Sequence, residues 1–81
     1  MKVGVRFFAS LRELVGADRL DVSLPDAATA EDVWSALVAR HPALAARRSS
    51  LTVAVNRRYA RFDEPLHEGD EVAFIPPVSG G

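Results

Sequence analysis

Residues 76–81 read Pro76-Pro77-Val78-Ser79-Gly80-Gly81, and this order points to chemistry carried on a chain end. The two prolines stiffen the exit from whatever precedes them, and at about 3.3–3.6 Å per extended residue such an arm reaches on the order of 20 Å. Gly80 and Gly81 carry no Cβ, so the tip can enter a narrow channel and take backbone angles closed to other residues. An ordinary α-carboxylate is ionised at neutral pH and is a poor electrophile. Once another protein activates it as an acyl-phosphate-type anhydride, it can accept sulfur or an amine. Chains also end in flexible glycines for no chemical reason, but two prolines and Val-Ser-Gly-Gly directly after a core strand favour an arm over a frayed end.

The side chains that usually perform catalysis are sparse. There is no cysteine, which removes disulfides, thiolate zinc sites and thiol nucleophiles together. His41 stands where a helix ends and His67 in a charged turn, with no His-x-x-x-His or Glu-x-x-His spacing, so no metal site is expected. Asp63-Glu64 and Glu68-Gly69-Asp70-Glu71 are carboxylate clusters in turns, where solvation accounts for them. Gly4, Gly16 and Gly69 stand alone, so there is no phosphate loop and no bound cofactor is expected. The basic pairs Arg47-Arg48 and Arg57-Arg58, with Arg61, read first as solvated surface and second as a docking site for an acidic protein.

Composition sets the frame. The chain has 81 residues, a net charge of −1 and 48% hydrophobic residues, the numbers of one small domain. A domain of this size buries only about 60–65% of its unfolded surface, so nearly every apolar side chain is needed in one core and little is left to line a pocket. The charge balance argues against a nucleic-acid binder. Arg6 interrupts the first apolar run too early for a signal-peptide core, and no segment approaches the ~20 apolar residues of a membrane span, so a cytoplasmic protein with no membrane partner is expected.

The elements that position the arm follow from periodicity. Val3, Val5 and Phe7 alternate with Lys2, Gly4 and Arg6 as a half-buried strand. Ser10-Leu11-Arg12-Glu13 has the form of a capping box, which predicts a short helix over 11–15 stopped by Gly16. Leu20, Val22 and Leu24 mark a second strand. Thr29 as N-cap, Glu31 and Asp32 in the first turn, and Val33, Trp34, Leu37 and Val38 at helical spacing predict the main amphipathic helix, stopped by His41-Pro42. A small-residue stretch leads to a third strand with Val53 and Val55, a turn beginning at Asn56, a brief edge strand over 59–62, Leu66 plugging the core from a loop, and a last strand over 71–75. The order predicts an α+β β-grasp: a mixed sheet with one main helix across one face, a domain over 1–75 and an extended tail over 76–81. Alternation turns Phe8, Ala73 and Ile75 toward the uncovered face; with Tyr59 they would form an exposed apolar patch of the kind that marks a protein interface.

Phe7-Phe8-Ala9-Ser10-Leu11-Arg12-Glu13, Val55-Asn56 and the run from Gly69 through Pro76-Pro77-Val78-Ser79-Gly80-Gly81 closely resemble the small subunits of molybdopterin synthase. The resemblance implies a sulfur carrier of ubiquitin-like β-grasp fold without a catalytic site of its own. Gly81 would be adenylated with ATP by an E1-like adenylyltransferase and converted to a thiocarboxylate by a sulfurtransferase. The tail would then enter the synthase large subunit and give its sulfur to cyclic pyranopterin monophosphate. Phe8 and Ile75 match family interface positions, with Tyr59 at a position usually apolar, whereas Asn56-Arg57-Arg58 is bulkier and more basic than expected at that turn. The same tail suits a ubiquitin-like protein modifier, or a carrier for thiamin or cysteine synthesis.

Overall fold

The computed structural model describes residues 1–78. Its elements run β1 (Lys2–Phe7), α1 (Ala9–Val15), β2 (Arg19–Ser23), α2 (Ala30–Arg40), a 3₁₀ segment (Pro42–Ser50), β3 (Thr52–Val55), β4 (Arg58–Ala60) and β5 (Glu71–Ile75). These strands form one mixed sheet in the order β2-β1-β5-β3-β4. The central pair, β1 and β5, is parallel; the pairs β1–β2, β5–β3 and β3–β4 are antiparallel. A parallel pair cannot close with a tight turn and needs a crossover. Here the crossover includes α2, which lies across one face and completes the β-grasp.

The period-2 residues of β1 (Val3, Val5, Phe7) and of β5 (Val72, Phe74) meet Val33, Trp34 and Leu37 of α2, and all are buried. Trp34 and Phe74 pack edge to face with ring centroids 5.0 Å apart. Leu66 is buried from its loop, as its position between two turn clusters predicts. α2 starts on a full capping box: the Asp32 amide donates to Thr29 Oγ1 at 3.3 Å, and the Thr29 amide donates to Asp32 Oδ2 at 2.8 Å.

Three local expectations are corrected. Ser10 does not cap α1. The helix begins at Ala9 with Phe8 as an uncapped N-cap in extended backbone, and Ser10 Oγ accepts from Arg47 at 3.3 Å. β1 stays paired with β5 through Phe7, Phe8 remains extended and the chain turns at Ala9, whose φ is +49°, so the helix starts ahead of the box and takes Ser10 into its first turn. The small-residue stretch is the 3₁₀ segment, whose Leu44 is buried. The edge strand covers Arg58–Ala60 rather than 59–62. Asn56-Arg57 makes a two-residue turn that pairs Val55 with Arg58, and beyond Ala60 the chain leaves β3 to accept from α2, the Glu31 amide donating to Phe62 O at 2.9 Å.

Arg48 is also not solvated surface. Its guanidinium lies 3.3 Å from the centroid of the Phe62 ring and meets Glu31 through Nε and Nη2, the latter at 2.6 Å. Phe62 in turn stacks on Phe74 at 6.0 Å. Arg48 thereby ties the 3₁₀ segment to α2 and to the aromatic core. The hydrogen bond from Arg48 holds the Glu31 carboxyl below its usual range, against a smaller opposing effect of burial. Both side chains keep substantial exposure (36% and 46%), so screening holds the charge contribution to less than about 1 kcal/mol.

Asn56 and Arg57 have φ of +51° and +68°, so the turn between β3 and β4 takes the double left-handed form in which glycine is favoured second. A side chain there costs roughly 1–2 kcal/mol.

Two stability measurements test these assignments. A group whose folded pKa is depressed stabilises above its unfolded value and loses that effect as pH falls through the folded one. Glu31→Gln is therefore less stable than the parent near neutral pH by under about 1 kcal/mol, and the gap closes as pH falls below the ordinary carboxylate range, read by urea unfolding. A gap that persists in acid would assign the contact to packing instead of charge. Arg57→Gly gains roughly 0.5–1 kcal/mol after subtracting the extra freedom of glycine in the unfolded chain; its thermal midpoint rises by about 2–8 °C.

Candidate functional site

The face of the sheet opposite α2 is built by register. Arg6 on β1 lies beside Ala73 on β5, Ala73 beside Ala54 on β3, and Ala54 beside Tyr59 on β4; Arg6 also neighbours Arg19 on β2. One row of side chains thus crosses the sheet with arginines at one end, a tyrosine at the other and two alanines between. Because the alanines are short, the centre of the row is sunken. Arg6, Phe8, Ala54, Arg57, Tyr59, Glu71, Ala73 and Ile75 line the resulting hollow of about 280 Å³. Ala54 forms part of its floor and is itself buried, whereas Tyr59 at the rim is 81% exposed.

Phe8 and Ile75 belong both to this hollow and to a second, larger groove of about 720 Å³ that is open to solvent. Ala9, Ser10 and Glu13 of α1 form one side of the groove, and Pro76, Pro77 and Val78 form the other. The scarcity of pocket-lining surface expected from chain length is therefore corrected. The chain does shape concave surface, but as open grooves on the unhelixed side, where no core residue is withdrawn. The Arg6 guanidinium sits 5.4 Å from the Phe8 ring centroid and braces it at the junction of the two grooves.

Gly4 lies in the neighbouring row. A Cβ there would lie 3.1 Å from Nη2 of Arg19, whose guanidinium is thus spread over the β1 backbone on this same face. Across the sheet Gly4 is flanked by Asp21 and Glu71. The open face therefore carries alternating charge around an apolar centre.

Phe8, Tyr59 and Ile75, which the sequence groups with Ala73 as one apolar patch, line one hollow. Pro76, Pro77 and Val78 leave the end of β5 along the adjoining groove; Ser79, Gly80 and Gly81 lie outside the described residues. Sequence reasoning did not include Arg6, Ala54 or Arg57 in this surface. Alternation along β1 could have placed Arg6 there, but Ala54 and Arg57 join only through the β3–β4–β5 register. Two further basic residues have local partners: Arg61 pairs with Asp63 at 3.1 Å, and His67 lies 3.8 Å from Asp70.

Among the described residues no polar or charged residue is buried. Among the described residues, too, no group of three His, Cys, Asp or Glu residues is placed to hold a metal, and no helix is long and apolar enough to cross a membrane. The arrangement can bind a protein surface and present a chain segment beside it. It offers no desolvated acid or base.

Comparison with known proteins gives the same outline. The molybdopterin synthase sulfur carrier subunit of Escherichia coli (strain K12) is 46% identical over 81 residues, covering 98% of this chain and 99% of the relative. That of Chlamydomonas reinhardtii is 41% identical over 83 residues and covers all of both chains. The crystal structure of SAMP1, small archaeal modifier protein 1, from Haloferax volcanii superposes with a TM-score of 0.90 at 35% identity, covering all of both chains. Residues 5–81 match the ThiS family. With the β-grasp sheet and end-to-end similarity to these relatives, the chain belongs to the ThiS family.

Proposed function

We propose that this chain is the sulfur carrier subunit of a molybdopterin synthase, acting in the cytoplasm through the α-carboxylate of Gly81. The observation that carries the reading is the continuity of the apolar hollow, through Phe8 and Ile75, with the groove along Pro76 and Pro77. A partner that covers the open face receives the tail from the same edge. The relatives' name, molybdopterin synthase sulfur carrier subunit, supplies the chemistry.

In this reading the Gly81 carboxylate attacks ATP on an E1-like adenylyltransferase and pyrophosphate leaves. A sulfurtransferase then delivers sulfur at the sulfide level to the acyl carbon, AMP leaves as the acyl–phosphate bond breaks, and the chain carries a thiocarboxylate. The large subunit takes up the tail and directs that sulfur to cyclic pyranopterin monophosphate. This chain binds no cofactor and supplies no acid or base. Its own contributions are a docking face in Phe8, Tyr59 and Ile75, a stiff exit in Pro76 and Pro77, and a slim tip in Val78, Ser79, Gly80 and Gly81.

A second reading, protein modification through Gly81, is supported by the likeness to SAMP1. Lys2 is the chain's single lysine, which restricts self-linkage through lysine to one site and leaves single conjugation to other proteins open.

Incubation with the adenylyltransferase, ATP and a sulfur source should give an intact protein in which one C-terminal oxygen is replaced by sulfur. Mass spectrometry reads this directly. An unchanged mass, or cofactor synthesis sustained by a Gly81-deleted chain, rejects the carrier reading, and amide-linked adducts in extracts would favour the modifier. Tyr59→Glu tests the docking face: stability changes by less than about 0.5 kcal/mol because the ring is exposed, while affinity for the large subunit falls on the order of tenfold or more.

A further inference from the structure

We infer that Arg57 is a docking contact, kept in a strained turn because that turn carries its guanidinium onto the open sheet face to meet a carboxylate of the protein that receives the tail. The inference rests on the carrier reading above and adds the electrostatic character of the partner surface.

Strain in the Asn56-Arg57 turn is compensated at only one of its two residues among those described. Asn56 is held by structure: its side-chain amide donates to Asp70 Oδ1 at 2.9 Å, its side-chain oxygen accepts from the Glu71 amide at 3.0 Å, and its own amide donates to Glu71 O at 2.8 Å. Arg57, at φ +68°, has no comparable fixing contact. Its side chain is 83% exposed, and its ion pair with Glu71, at 3.8 Å, is long and open to water. A residue that bears backbone strain without a folding role is a reason to look for function at that position.

Its location supplies the function. Arg57 lines the same hollow as Phe8, Tyr59 and Ile75, where the charged groups are Arg6 and Arg57 against Glu71 alone. The chain as a whole has a net charge of −1, so this cationic rim is a local arrangement. Arg58, next in sequence, is different. It pairs across the hairpin with Val55, which packs against the core, and so belongs to the opposite side of the strand. The occupant that fits the hollow is a protein surface with an apolar plug for the alanine floor and a carboxylate at the edge facing Arg57.

The test measures binding of the purified large subunit to the full-length chain, at low and high salt, for the parent, Arg57→Gly, Arg57→Glu and Arg58→Glu. The expected result is a loss of threefold or more for Arg57→Gly despite equal or higher thermal stability, a larger loss for Arg57→Glu, a shallower salt dependence for both, and parent-like binding for Arg58→Glu. Arg57 variants that bind within threefold of the parent overturn the inference while leaving the carrier reading intact. Equal losses for Arg58→Glu and Arg57→Glu also overturn it, since general charge would then suffice. A parent chain that does not bind the large subunit overturns both.

Discussion

The parallel pairing of β1 with β5 is the constraint on which the rest of the molecule depends. It joins the first and last strands at the centre of the sheet, with Val5 beside Val72 and Phe7 beside Phe74. Two strands that run the same way also end at the same edge. The residue leaving β1, Phe8, and the residues leaving β5, Ile75 and Pro76, therefore emerge side by side and line one groove. An antiparallel arrangement of the same strands would send the tail out at the far edge, away from Phe8 and the start of α1. The geometry that makes a core is thus also the geometry that sets an arm beside an apolar patch.

A sheet covered on one side only leaves its other side to be managed. In a domain this small, few large side chains are left over once the core is filled. The open face is accordingly made from short residues at the centre, Ala54 and Ala73, and from amphipathic ones at the margin, Arg6, Arg19, Arg57 and Tyr59. Long charged stems cover apolar surface while their heads stay in water. Such a face remains compatible with solvent when free and still presents a shaped depression to a partner.

On the covered side, charge works for folding instead. Arg48 bridges Glu31 and the Phe62 ring, and Phe62 stacks on Phe74 at the centre of the core, so a guanidinium from the irregular 3₁₀ segment is tied to the sheet through aromatic packing. Arginine suits this place because its planar head can stack on a ring and bind a carboxylate at the same time, which a lysine ammonium cannot do. Two basic pairs that look alike in sequence, Arg47-Arg48 and Arg57-Arg58, therefore serve different ends: the first faces inward contacts and the second lies at a hairpin turn.

How much was legible depended on the range of the interactions involved. Period-2 and helical spacing, the Thr29 cap, the Gly16 stop and the Leu66 plug are local, and the elements they predict are present. The Ser10-Glu13 box was equally local and still failed, because the chain turns into the helix at Ala9, directly after Phe8, and so draws Ser10 into the first turn. Phe8, Tyr59 and Ile75 could each be turned outward by alternation, but alternation assigns a face and not a neighbour. By itself the sequence determined the strands and main helix, the apolar stripe that forms the core, and a proline-led Gly-Gly segment after the last strand, since each follows from spacing and residue type. Only the tertiary structure decided that Ala54 and Arg57 join Phe8, Tyr59 and Ile75 around one hollow and that Arg48 lies over the Phe62 ring beside Glu31, because those outcomes depend on sheet register and on contacts between segments distant along the chain.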